Sequence, residues 1–306
     1  MKLEVVSLGG CLGCLSTLLE LGESTFSILG QNQVLYMPFL VDKKEVAPCD
    51  VALVEGGVRD HRQLEMAASL RESASRVIAL GSCAVYGGVP GLANQVSEEG
   101  LFRRSYEDHV FQGLPEGLGR LLPLDSCIDV DLKMPGCPPP RALVEWVLLR
   151  LSGKGEGMPS PLPEEEITVC SECRLQCTGE EAGGLKSLLR DQPRPGVCLL
   201  EQGYVCLGPV TKGGCGAPCP GRHGVPCAGC RGPSLQVLLE PSHDLALDTL
   251  RRLSRAAKVP RGELETALPD VPHTFYAHCF AEPLMRRKRR GGTSRFFRRL
   301  GETVRR

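Results

Sequence analysis

Cysteine content constrains this chain more than any other feature. Sixteen of its 306 residues are Cys, and nine of those fall between Cys170 and Cys230. Such density means a disulfide framework in an oxidising compartment, or metal-held thiolates elsewhere. The first residues, MKLEVVSLGGCLGC, show no charged stretch followed by an apolar one and no twin-arginine signal. No apolar run reaches the ~18 residues of a membrane-spanning helix. The expectation is a cytoplasmic chain whose thiols hold zinc or iron–sulfur clusters, or work as redox dithiols.

The chain is 42% hydrophobic, enough for a sizeable core, which excludes wholesale disorder. Its 36 Lys and Arg balance 36 Asp and Glu. Bulk charge therefore gives no reason to expect a nucleic-acid partner. The balance conceals an asymmetry. Residues 286–306 carry nine Arg and one Lys against Glu302, a net +9, which leaves −9 on the first 285 residues. Either a solvated arm or an amphipathic basic helix fits this tail, with Phe296, Phe297, Leu300 and Val304 on one face. The second would draw the chain peripherally to anionic lipid, at roughly 1 kcal/mol per basic residue, or to an acidic partner.

Residues 1–152 alternate short apolar strands with helical patterns. Strands are expected over 3–7, 34–37, 51–54 and 77–80. Helices are expected from Cys14 to about Leu29, from about Arg59 to Glu72, and over 141–151. This is the pattern of an α/β domain with a parallel sheet covered on both faces. In such sheets ligands collect beyond the carboxyl ends of the strands. Cys11, Cys14, Glu55 and Cys83 all fall there. Residues 153–166 are rich in Gly, Pro and acid and read as a linker. Residues 167–233 are Cys-, Gly- and Pro-rich with little periodicity, a small irregular domain in which metal would supply much of the folding free energy. Residues 234–285 form an extension, helical from Ser242 to Ala257, before the basic tail 286–306.

The cysteines sort into three groups. Cys11 and Cys14 sit in the tight GGCLGC turn, Cys83 in GSCAVYGG and Cys137 in MPGCPPP, where small or stiff residues let a bulky ligand approach the backbone. Four thiolates from three loops suit a [4Fe–4S] cube, one per iron; a redox dithiol at Cys11 and Cys14 is the competing reading. The second group is Cys170, Cys173, Cys198 and Cys206. The third is Cys215, Cys219, Cys227 and Cys230. Here tetrahedral zinc competes, and spacing alone does not separate it from iron–sulfur. Cys177 is left spare. A zinc-stabilised interaction module therefore stays open beside an electron carrier.

The segments GGCLGC, ALVEGGV, ALGSCAVYGGVPGLANQ and MPGCPPPRALVEWVL resemble the small, electron-transferring subunit of [NiFe] hydrogenases. CLLEQGYVCLGPVTKGGCGAPC and GVPCAGCRGP are similar to its cytoplasmic branch, which includes the gamma subunit of coenzyme F420-reducing hydrogenase and the small subunit of viologen-reducing hydrogenase. The likeness covers roughly residues 1–233. More distant is the 20 kDa quinone-module subunit of complex I, which lacks the second cysteine-rich region. The resemblance implies a flavodoxin-like domain followed by a small cluster-binding domain. It also implies three [4Fe–4S] clusters. Cys11, Cys14, Cys83 and Cys137 match the proximal ligands, Cys170, Cys173, Cys198 and Cys206 the distal ones, and Cys215, Cys227 and Cys230 the medial ones. Cys219 stands where exported relatives have Pro, which implies a fourth medial ligand and a lower potential. Glu55 matches an acid near the active-site interface, either on a proton path or a structural acid at a strand end. The implied partners are a nickel–iron large subunit and an acceptor that is a flavoprotein, a heterodisulfide reductase or ferredoxin-like. The alternative is a relay in a reductase complex that is not a hydrogenase. Cys198 and Cys206 lie two residues further apart than in the exported relatives, and the chain beyond about Leu239 has no counterpart that the resemblance places.

Overall fold

A computed structural model describes residues 1–285, except 39, 44, 107–112, 164, 165 and 181. The basic tail 286–306 lies outside the described residues, as does any membrane contact through it. The chain divides into two compact units. One is Met1–Pro161 with His278–Pro283; the other begins at Leu162, runs to Ala277 and takes up the chain again at Leu284. The division falls inside the stretch expected as a linker, and the expected helical extension contributes to both units.

The first unit is built on strands β1 (Lys2–Ser7), β2 (Gln33–Tyr36), β3 (Cys49–Glu55), β5 (Ala74–Leu80) and β7 (Leu132–Met134), in the order β2-β1-β3-β5-β7. Every neighbouring pair is parallel. This is the doubly wound, flavodoxin-like order, counting only the strands of this sheet. β3 buries all of Val51–Glu55 because helices cover both faces. A separate two-stranded antiparallel ribbon joins β4 (Val58–Asp60) and β6 (Gly117–Leu122).

The helices of this unit are α1 (Gly13–Leu19), α2 (Glu23–Gln31), α3 (His61–Ser73), α4 (Gly81–Tyr86), α5 (Glu98–Tyr106) and α6 (Arg141–Leu151). The single helix expected from Cys14 to Leu29 is broken: Gly22 has φ +67° and separates α1 from α2. The helix expected from Arg59 starts at His61 instead, because Val58–Asp60 pair with β6 and the Asp60 carboxylate caps α3 by accepting from the Gln63 N–H at 2.9 Å.

The second unit is irregular over the cysteine-rich segment, with α7 (Val169–Glu172), α8 (Pro218–His223) and isolated bridges such as Thr168 with Lys212 and Gln176 with Val197. Helices α9 (Leu235–Leu239), α10 (Leu245–Ala257), α11 (Arg261–Ala267) and α12 (Val271–Tyr276) follow. α10 buries Leu245, Ala246, Leu250, Leu253 and Ala257 while Arg251, Arg252 and Arg255 face water. It packs on α11, on α12 and on the Gly208–Val210 turn of the cysteine-rich segment. That segment therefore draws apolar support from helices outside it, besides whatever metal supplies. Among the described residues no helix is long and apolar enough to cross a membrane.

Candidate iron–sulfur sites

Beyond the carboxyl ends of β1, β3, β5 and β7, four loops meet. The Cys11 loop is pinned to the turn after β3: Gly9 and Gly57 exchange backbone hydrogen bonds at 2.9 and 3.1 Å, and a Cβ on Gly56 would meet the Gly9 backbone at 2.8 Å. Ser82 ties the Cys83 helix to the Cys137 turn, its N–H donating to the Gly136 carbonyl oxygen at 2.9 Å and its Oγ accepting from the Gly136 N–H at 3.0 Å. These clamps bring Cys11, Cys14, Cys83 and Cys137 within electrostatic reach of one another.

The backbone around these sulfurs leaves no room for side chains. A Cβ on Gly81, whose φ is +85°, would lie 2.2 Å from the Cys14 Sγ, and one on Gly88 would lie 2.5 Å from the Cys83 Sγ. Burial pushes the Cys14 thiol far up, and the charges of Glu55, Cys83, Cys137 and Cys11 push the same way. Cys83 is pushed up to about 12 by burial, with Cys137, Cys11 and Glu55 adding to it, against a hydrogen bond from the Val89 backbone. Burial also raises Cys137. Burial thus favours the neutral thiol at Cys14, Cys83 and Cys137, and a cation of sufficient charge would favour the thiolates. Glu55 is buried below the Cys11 turn and accepts from the Ser7 hydroxyl at 2.7 Å.

In the second unit the sulfurs form two adjoining groups. Cys170 lies in electrostatic reach of Cys173 and Cys198, and Cys206 of Cys170 and Cys198, with Cys170 at the surface. Cys177 joins them: it is exposed, lies in side-chain hydrogen-bond contact with Cys198 and is pushed up to about 11 by partial burial and its neighbours. Residue spacing leaves it spare because its position comes from a non-local parallel bridge. Gln176 donates to the Gly196 carbonyl and accepts from the Cys198 N–H, both at 2.8 Å. The buried Glu201 carboxylate then anchors the next residues, accepting from the Thr178 N–H at 2.6 Å and the Gly179 N–H at 3.2 Å.

In the other group Cys215 lies in electrostatic reach of Cys219, and Cys227 of Cys206 and Cys230. Backbone amides aim at the sulfurs. Ala217 donates to Cys215, Gly229 to Cys227, and both Gly208 and Cys227 to Cys206, the last at 3.3 Å. Burial still leaves Cys215 and Cys227 raised, and Cys206 pushed up to about 11. Ala217 adopts φ +48° in this turn, a left-handed conformation uncommon outside glycine. The two groups touch through Cys206 and Cys227. The Glu172 carboxylate, one residue before Cys173, also accepts from the Gly214 and Cys215 N–H groups at 2.9 and 3.2 Å. Among the described residues no three Cys, His, Asp or Glu side chains converge closely enough to hold one metal ion.

Sequence relatives place this chain in the class of hydrogenase small subunits. The chain belongs to the family of the F420-non-reducing hydrogenase iron-sulfur subunits, and it is part of a hydrogenase-type oxidoreductase complex. An F420-non-reducing hydrogenase vhu subunit of Methanococcus voltae is 36% identical over 248 residues, covering 78% of this chain and 84% of that protein. The counterpart in Methanocaldococcus jannaschii is 33% identical over 298 residues, covering 94% and 98%. In Archaeoglobus profundus a relative 31% identical over 285 residues, covering 83% and 87%, is an F420-non-reducing hydrogenase iron-sulfur subunit. Residues 11–151 also match the family model of the NADH ubiquinone oxidoreductase 20 Kd subunit. The fold is shared with an actinobacterial-type NiFe-hydrogenase from Ralstonia eutropha, at a TM-score of 0.51 and 19% identity, covering 88% of this chain and 89% of that one. It is likewise shared with an H2-activated [NiFeSe]-hydrogenase from Dm. baculatum, at 0.51 and 18%, covering 76% and 94%.

Proposed function

We propose that the chain is the electron-transfer subunit of a [NiFe] hydrogenase complex and carries three [4Fe–4S] clusters. Cys11, Cys14, Cys83 and Cys137 would hold the proximal cluster, Cys215, Cys219, Cys227 and Cys230 the medial one, and Cys170, Cys173, Cys198 and Cys206 the distal one. Bound clusters supply one-electron storage and transfer. The residues supply the rest. Thiolates ligate, amides aimed at sulfur favour the ionised form, and glycines keep the cradle open.

One observation carries the reading. The two groups of the second unit adjoin through the Cys227 N–H and the Cys206 Sγ. Zinc staples have no need to touch, whereas an electron relay does, because transfer through protein falls steeply with distance. The exposure of Cys170 suits an exit at the surface. Glu55, buried and tied to Ser7, would serve as a proton-path group or lock two strand ends together. The hydrogenase large subunit is the partner at one end. At the other we infer a flavoprotein, a heterodisulfide reductase or a ferredoxin-like protein.

The test is anaerobic co-purification with the large subunit. The expected result is about twelve iron atoms per chain, four per cube, with matching acid-labile sulfide. Zinc without labile sulfide would overturn the proposal.

A further inference from the structure

Arg231 follows Cys230 directly and is only 2% exposed. Its Nε donates to the Gly213 carbonyl oxygen at 3.1 Å. Its guanidinium faces Gly214, where a Cβ would come within 3.0 Å of it. Gly213 and Gly214 lead into Cys215, whose sulfur lies within the field of the guanidinium. Arginine is not deprotonated in proteins, so a full positive charge lies out of water beside Cys215. A buried charge of this kind is stabilised by every anion within its reach. A cube ligated by four thiolates is a net anion and becomes more negative with each electron it takes. The Glu172 carboxylate has the opposite sign and stands 4.0 Å from the Cys215 Sγ. It is only partly buried, so water screens it, while Arg231 is shielded.

We propose that Arg231 is a built-in countercharge for the cluster held by Cys215, Cys219, Cys227 and Cys230, and that it keeps the reduction potential of that cluster above the value four thiolates alone would set. The inference rests on the reading of these thiols as cluster ligands. Arg231 acts through Cys215 and the surrounding field, so it is a positioning residue. Its charge offsets the effect of the extra thiolate at Cys219 and keeps the middle carrier from becoming a barrier between its neighbours.

The full-length chain, purified anaerobically with its large subunit, is titrated redox-metrically with paramagnetic resonance as the readout. Wild type, Arg231→Gln and Arg231→Lys are compared, and Cys219→Ser identifies the medial signal. The expected result is equal iron in wild type and both Arg231 variants, a medial midpoint shifted to lower potential in Arg231→Gln, and a midpoint close to wild type in Arg231→Lys. An unmoved midpoint in Arg231→Gln with iron intact would refute the electrostatic role. So would equal loss of iron from both variants, which would make Arg231 a structural pillar. Wild-type protein without iron would instead remove the cluster reading itself.

Discussion

Gly81 shows how much a single missing methylene decides. Its φ of +85° and the 2.2 Å approach of a Cβ to the Cys14 Sγ oppose any side chain there. Gly81→Ala is expected to cost the proximal cluster, read as a fall of about four iron atoms, together with about 1–2 kcal/mol of backbone strain. Cys177 marks the reach of sequence spacing. CxxC pairs announce themselves, but a thiol delivered by the pairing of Gln176 with Val197 does not. Cys177 adds a fifth thiol to the four proposed for the distal cluster. The sulfur of Cys206 receives two amide hydrogen bonds, which favour its thiolate, so we take Cys206 and not Cys177 as the proposed ligand. Cys206→Ala should then lose about four iron atoms, and Cys177→Ala should keep the wild-type content, as iron and sulfide assays would show.

Among the elements, α10 carries the clearest energetics. Asp244 caps it, accepting from the Ala246 and Leu247 N–H groups at 2.9 and 3.2 Å, and also accepts from the buried Tyr276 hydroxyl at 2.6 Å. Asp244→Ala removes the cap and the carboxylate that accepts from the buried Tyr276 hydroxyl, at an expected cost of about 1–3 kcal/mol in denaturant unfolding; Asp244→Asn should recover most of it. The sequence pattern marks this helix because its apolar stripe repeats at helical spacing. It does not mark β7, three residues long, which brings Cys137 to the same end of the sheet as Cys83. β3 offers a pH test. Cys49, buried at its start, is pushed up to about 11 from 9.0, mainly by burial, with Glu4 and Asp50 adding to it. A raised thiol pKa contributes stability that is complete below about pH 9 and lost between about 9 and 11, where the unfolded chain ionises first. Cys49→Ala should flatten the fall of stability across that window, measured by denaturant midpoints at each pH.

At the level of the molecule, the chain is one part of a larger catalyst. It is expected to show no hydrogen turnover alone and to support turnover only with the large subunit, as a gas-uptake assay of each preparation would show. The fold class was readable from local patterns because short apolar strands alternating with helices admit few layered arrangements. The cysteine-bearing turns were readable because tight Gly- and Pro-built segments leave their mark in composition. Zinc against iron could not be separated from spacing, since the separation of sulfurs in space is not a property of their separation along the chain.

Local chemistry thus dictated the sheet, the thiol-bearing turns and the family resemblance, all of which depend on near neighbours. Long-range packing decided the remainder: the break at Gly22, the meeting of four loops at the carboxyl end of the sheet, the contact of Cys206 with Cys227, the arrival of Cys177 and the burial of Arg231. Each of these depends on residues far apart in sequence becoming adjacent, and the pairing that does this is chosen by the fold's total burial and hydrogen bonding rather than by any one segment.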